Sequence, residues 1–198
     1  MKLHFSPASP FVRKVMACAI ARGLEGRIEQ VRSNPHVSPA ELLADNPLSR
    51  IPALVTDSGD TLYDSPVICE YLDTLGDAAP MVPPFGPARI AALKLQALGD
   101  GLMDAAVARR MQAALPQDEG RAAFVARQDG VVARCLMVLE GTSLPTTLDI
   151  GSITIGCALG YLDFRYPEMA WKPAHPKLAA WYAGMLTQKP FAETMPVG

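Results

Sequence analysis

The 198-residue chain has no long apolar run, no paired cysteines and no excess of positive charge. No apolar stretch approaches the roughly 18 residues that cross a bilayer, so no membrane partner is expected. Lys and Arg number 18 against 20 Asp and Glu, a net charge of −2. Nothing is left over to neutralise a phosphate backbone, so nucleic acid is not an expected partner. The four cysteines (Cys18, Cys69, Cys135, Cys157) form no CxxC pair, and the three histidines (His4, His36, His175) are scattered. No metal is therefore expected, and each cysteine reads as a small buried residue. Met1 to Pro7 lack the apolar core of a secretion signal. With the unpaired cysteines, that implies a reducing, cytoplasmic location. Tyrosine is absent from the first 60 residues, which limits the hydroxyls available there for chemistry. Apolar residues still make up 49 % of the chain, enough for a packed core.

The most informative stretch is Arg50-Ile51-Pro52-Ala53-Leu54. The residue before a proline is driven to extended geometry, and X-Pro is where cis peptides occur. Ala53 to Thr56 and Thr61 to Tyr63 read as a hairpin around Asp57-Ser58-Gly59-Asp60. Asp64-Ser65-Pro66 then reads as a helix start, with Ser65 as N-cap and Pro66 at the first helical position. Upstream, Leu3 to Phe5 reads as a strand. Ser9-Pro10 opens a helix whose apolar residues Phe11, Val12, Val15, Met16, Ala19 and Ile20 share one face, and Gly23 ends it. Ile28 to Val31 is a second strand and Pro39 to Ala44 a short helix. The helix from Ser65 runs to Leu75. The order is β-α-β-α-β-β-α, with a right-handed parallel first crossover.

Gly76 to Pro87 holds four prolines and two glycines and reads as a break between elements. After it the pattern is helical: Ala88 to Leu115, Asp118 to Glu140, a helix to about Arg165, and Pro176 to Gln188. Thr146-Thr147-Leu148-Asp149 reads as a capping-box variant opening the third of these.

This layout resembles the cytosolic, bacterial-type glutathione S-transferases over nearly the whole chain. Four stretches carry the likeness: Ser6 to Lys14, Asn46 to Leu54, Leu62 to Leu72, and Thr146 to Asp149. The resemblance implies a thioredoxin-like α/β domain at 1–77, a linker at 78–87 and an all-helical domain at 88–198. It implies glutathione as co-substrate, a homodimer, and a detoxifying transferase that conjugates the thiolate to small apolar electrophiles. Ile51, exposed by a cis Pro52, would pair its backbone with the cysteinyl part of glutathione. Ser65 would bind the γ-glutamyl carboxylate, Asp64 its ammonium, and Arg50 the glycine carboxylate. The helix N-terminus at Ser65 suits an anion, because its first N–H groups lack partners.

Members of this family place Tyr, Ser or Cys near the sulfur. Here Ser9 and Ser6 remain, with Ser9 preferred. A serine that caps a helix through its oxygen keeps its O–H free to donate to a thiolate. Phe11, Met103, Val107, Arg110 and Phe164 are expected to line the electrophile site. Two other functions stay open: a non-catalytic binding or regulatory protein, and a glutathione-dependent reductase of disulfides or quinones. The latter usually calls for Cys where Ser9 stands. Ile68, Tyr71, Leu93 and Leu98 are expected on an exposed dimer face.

Overall fold

The computed structural model describes residues 1–116 and 118–197. Its first half builds one mixed sheet from β1 (Lys2–Phe5), β2 (Glu29–Arg32), β3 (Ala53–Val55) and β4 (Thr61–Leu62), in the order β2-β1-β3-β4. β1 and β2 are parallel, joined through α1 (Pro10–Ala21), and β1–β3 and β3–β4 are antiparallel. α2 (Ala40–Asp45) and α3 (Ser65–Asp73) complete this half. The helical half holds α4 (Gly86–Ala113), α5 (Glu119–Glu140), α6 (Ile150–Arg165), α7 (Trp171–Ala174), α8 (Pro176–Leu186) and α9 (Lys189–Ala192). Among the described residues no helix is long and apolar enough to cross a membrane.

α1 starts as its sequence dictates. Ser9 sits in extended geometry and its Oγ accepts the Val12 N–H at 3.3 Å, with Pro10 at the first turn. The chain then reverses at Gly23, whose φ of 68° favours glycine.

Two helix starts differ from expectation. α3 begins at Ser65 itself, with Asp64 as the flanking N-cap residue and no side-chain cap bond. α6 begins at Ile150, its N-cap Asp149 lying three residues beyond Thr146, where the capping box was read. The box is formed instead by Asp149, whose Oδ1 accepts the Ser152 N–H at 2.7 Å, and by Ser152, whose Oγ accepts the Asp149 N–H at 2.9 Å. Asp149 is the better cap because a short carboxylate reaches the N3 amide, while Ser152 returns the bond.

The proline-rich stretch after α3 carries no regular element before α4 opens at Gly86. It is nonetheless pinned. Asp73 accepts the Met81 and Val82 N–H groups at 2.7 and 2.9 Å, and the buried Arg22 donates to the carbonyls of Leu75, Gly76 and Ala78. Met81 O then takes the Ile150 N–H at 3.0 Å, tying this stretch to the start of α6.

α6 is buried on every side from Ile150 to Leu162, so it forms the central post of the helical half. Glycines let its neighbours approach: Gly99 of α4 lies on Thr154, the Phe191 ring covers Gly156, and Arg13 with Tyr182 covers Gly160. One apolar cluster joins both halves, from Leu3, Val15 and Leu54 through Ile68 and Leu72 to Leu102, Ile153 and Leu159. Ile68 is fully buried within it, not exposed on a dimer face as expected, because α3 packs against α1 and β3. Tyr71, Leu93 and Leu98 are half-buried.

Candidate active site

The sheet register brings three segments to one end of the molecule. His4 pairs with Ala53, so the turn after β1 lies beside the residues entering β3. Leu54 pairs with Leu62, so β4 exits at that same end. Ser6 to Ser9 therefore lie near Ile51-Pro52, with Asp64-Ser65 following β4. Sequence separation hides this proximity; antiparallel pairing produces it.

The Ile51–Pro52 peptide is cis, as is the Tyr63–Asp64 peptide. Asn46, 1 % exposed, holds the loop before Pro52. Its Oδ1 accepts the Leu48 N–H at 3.0 Å and its Nδ2 donates to the Arg50 carbonyl at 2.8 Å. The Arg50 side chain is exposed, while Ile51 is half-buried and Pro52 buried. Behind this loop lies a polar relay. Asp45, at the end of α2, meets His4 Nε2 at 2.7 Å, and His4 Nδ1 meets Ser33 Oγ at 2.8 Å. Burial pushes the Asp45 carboxyl up, but the bonds from His4 and Lys2 outweigh it and hold Asp45 below its ordinary value.

At α3 the Ser65 residue is only 2 % exposed, and its hydroxyl has no hydrogen-bond partner among the described residues. Asp64 beside it is exposed and likewise makes no ion pair there. Ser9 and Ser6 are both half-buried. The Ser6 carbonyl accepts the Ser9 N–H at 3.1 Å, closing the turn. Ser6 also lines a cavity of about 330 Å³ between α1 and the C-terminal segment, with Arg13, Glu25 and Met195 among its walls.

The helical half contributes charges that sequence reading did not single out. Lys14, fully buried, places Nζ 2.6 Å from Asp100 Oδ1 on α4. Burial drives the Asp100 carboxyl up; Lys14 pulls it back, and the Asp64 charge adds to the rise. Partial desolvation also raises Asp104, with Asp100 and Asp64 pushing the same way and Arg50 opposing. Asp64, Arg50, Asp100 and Asp104 thus share one electrostatic neighbourhood. The only sequence signal for it was a pair of aspartates, Asp100 and Asp104, interrupting the otherwise apolar middle of α4, 97–108, at a one-turn spacing.

All four cysteines are buried. Burial pushes Cys157 up to about 11 and also raises Cys18 and Cys135. Met103, expected to line the electrophile site, is fully buried, whereas Phe11, Val107 and Phe164 are half-buried and Arg110 is exposed.

A sheet in this order, a cis-proline loop and a helix N-terminus at one sheet end, packed on a helical half, define a known class. Residues 8–75 match the family model of the glutathione S-transferase N-terminal domain, and residues 105–184 match that of the C-terminal domain. The chain belongs to the glutathione S-transferase family and has its fold: a thioredoxin-like half followed by a helical half. Its relatives include the uncharacterized GST-like protein YibF of Escherichia coli K12, 33 % identical over 99 % of this chain and 98 % of that protein. A glutathione transferase family member from Pseudomonas fluorescens Pf-5, crystallised with bound glutathione, is 41 % identical over 100 % of this chain and 99 % of its own, with a TM-score of 0.94. A structure from the same organism with bound S-(propanoic acid)-glutathione is 40 % identical over 100 % of both chains, with a TM-score of 0.89.

Proposed function

We propose that the chain is a glutathione transferase, binding glutathione at Arg50, Ile51, Pro52, Asp64 and Ser65 and using its thiolate as nucleophile. One observation carries the reading: Ser65, nearly solvent-free, keeps an unpartnered hydroxyl at the N-terminus of α3, beside an unpaired Asp64. A free hydroxyl and unpaired N–H groups at a helix start, beside a free carboxylate, suit a ligand that brings both an anion and a cation. The γ-glutamyl group offers a carboxylate for Ser65 and the helix end, and an ammonium for Asp64. The family members crystallised with glutathione and with a propanoic acid adduct of it support the same ligand. In this reading the glutathione-binding domain is 1–77, the linker 78–87 and the helical domain 88–198, with α4 taking up the last two linker residues.

Ser9 is the residue assigned to the sulfur. It opens α1 beside the cis-proline loop, and its cap bond uses only an acceptor site on its oxygen. Ser6 is the weaker candidate, because it lines the cavity beside the C-terminal segment. The disulfide-reductase reading needs an accessible thiol, and the four cysteines are buried. Those unpaired thiols suit the cytoplasm. The chain pairs as a twofold homodimer in this reading, through a face on which Val67, Phe85 and Ile90 are 48 %, 81 % and 65 % exposed. Light scattering tests this, with twice the 21.2 kDa of one chain expected.

The decisive experiment is calorimetric titration with glutathione. Ser65→Ala should weaken binding by about 1–3 kcal/mol, the range for a hydrogen bond to a charged group. Equal affinity of the variant and the parent removes Ser65 from the site.

A further inference from the structure

α4 and α6 run in the same direction. Gly151 packs on Ala92 and Leu95, Thr154 on Gly99, and the Tyr166 hydroxyl donates to the Ala106 carbonyl at 2.6 Å. Their C-terminal ends therefore lie at one end of the bundle. α1 runs against them: Arg13 packs on Gly160, while Cys18, further along α1, lies near Cys157, earlier on α6. Ser9, one turn upstream of Arg13, is thereby brought level with the last turn of α6, residues 163–165.

Three guanidinium groups meet at that end: Arg109, Arg110 and Arg165. Arg109 is satisfied, paired with Asp129 and lying over the Tyr166 ring at 4.5 Å. The acid nearest in sequence to Arg165, Asp163, is held by Lys172 at 2.6 Å and by the Trp171 N–H at 2.9 Å. Arg165 lies 3.9 Å over the Phe164 ring, and its Nε is buried with no hydrogen-bond partner. The Arg110 side chain makes no ion pair or hydrogen bond among the described residues. Arg110 and Arg165 are close enough to repel: partial burial and the Arg110 charge together lower the Arg165 pKa, while both cations act on the nearly buried Tyr161. Two cations, one with a buried unused donor, converge with no carboxylate between them. Arg110 is exposed and Arg165 half-buried, so the pair is open to an incoming anion, which would relieve the repulsion and take up the unused Nε donor.

We infer that the second substrate of this enzyme carries a carboxylate, held between Arg110 and Arg165 beside the glutathione sulfur. The inference rests on the transferase reading above and replaces its generic apolar electrophile with an acidic one. Two guanidinium forks suit the planar carboxylate better than a point cation would. A conjugate acceptor, an α,β-unsaturated acid, uses the pair in the reaction. The thiolate sulfur forms a bond to the β-carbon. The C=C π pair moves to the α-carbon and onto the carboxylate oxygens, where the two cations stabilise it. The α-carbon then takes a proton from water, replacing the one lost when the thiol ionised.

The test compares three ligands on the full chain by calorimetry: glutathione, S-propylglutathione and S-(2-carboxyethyl)glutathione. The carboxyethyl ligand should bind at least tenfold tighter than the propyl one. Arg110→Gln and Arg165→Gln should each remove most of that advantage, and Arg→Lys should keep part of it. Glutathione affinity should stay within twofold throughout. Circular dichroism checks folding, and Arg110, being exposed, is the variant least exposed to failure on that count. Equal binding of the acid and propyl ligands by the parent overturns the inference while leaving the transferase reading intact. So does a loss shared equally by all three ligands in both variants. Failure of glutathione itself to bind the parent overturns the transferase reading and this inference with it.

Discussion

Lys14 on α1 and Asp100 on α4 form an ion pair of 2.6 Å that joins the two halves, with the lysine side chain fully buried and the aspartate 19 % exposed. Breaking such a pair from one side strands a charge. Lys14→Met should cost about 3 kcal/mol, the lower end for a buried pair because Asp100 keeps some solvent. Lys14→Met with Asp100→Leu should recover most of that. The pair also sets a pH dependence. The folded Asp100 pKa lies above its ordinary value, so the folded chain holds the proton more tightly than the unfolded one. Its contribution to stability is therefore greatest in acid. It declines as pH rises from about 4 through the raised value. Lys14→Met removes an opposing charge and should widen that window. Urea midpoints measured against pH check this, and parallel curves for variant and parent would sink it.

Ser9→Ala should raise the pKa of bound glutathione and slow conjugation while leaving binding little changed. It should also lower stability by about 1 kcal/mol through the lost cap. The readout is the ultraviolet thiolate band of bound glutathione against pH, for the parent, Ser9→Ala and Ser6→Ala. A titration moved only by Ser6→Ala transfers the role to Ser6. One moved by neither leaves the sulfur to backbone donors.

Asn46→Ala should uncouple the loop from its support. The Leu48 N–H and Arg50 carbonyl would lose their partner, at a cost of about 1–3 kcal/mol in stability. Glutathione affinity should fall too, because the Arg50 carbonyl adjoins the Ile51 edge. Asn46→Asp keeps the acceptor for Leu48 but sets an oxygen against the Arg50 carbonyl, so it should rescue only part. Unchanged affinity in a destabilised Asn46→Ala protein would show that the loop needs no such latch to bind.

Gly160→Ala should destabilise by about 1–3 kcal/mol through overpacking. A Cβ there would overlap Arg13 Nη1 and stand 2.8 Å from the Tyr182 hydroxyl. Arg13 has little room to yield, since its Nη2 reaches the Phe191 carbonyl and its Nε the Thr194 hydroxyl, both at 3.4 Å. Gly101→Ala, where a Cβ meets nothing within 4 Å, is the control. Thermal melts that leave the two variants equal would dismiss the argument.

Much of this was legible in the chain because it was locally encoded. Proline after serine marked the start of α1, and glycine and proline density marked the break before α4. Ser65 and Asp149 show the limit. Both lie where several residues are competent caps, and the choice was made by packing: α3 draws Ser65 into the helix, and the Met81 carbonyl fixes Ile150 as the first residue of α6. The short α7 and α9 went unread because four residues carry too little periodicity. The Lys14–Asp100 pair and the Arg110–Arg165 meeting were invisible for a different reason. Each depends on the relative direction of helices far apart in sequence, which no local pattern encodes.

The buried thiols give the molecule an internal clock. In the closed state Cys18 and Cys157 are shielded and almost wholly protonated, and so nearly inert to alkylation. Once exposed, their pKa values return to about 8.5 and they react readily. They sit on α1 and α6, on either side of the seam between the two halves. With an alkylating reagent added in enough excess that reaction outpaces reclosing, the rate at which they become labelled, read by mass spectrometry, is the rate at which that seam opens. Ligands that clamp the two halves together will slow the clock, which turns thiol trapping into a binding assay that requires no turnover.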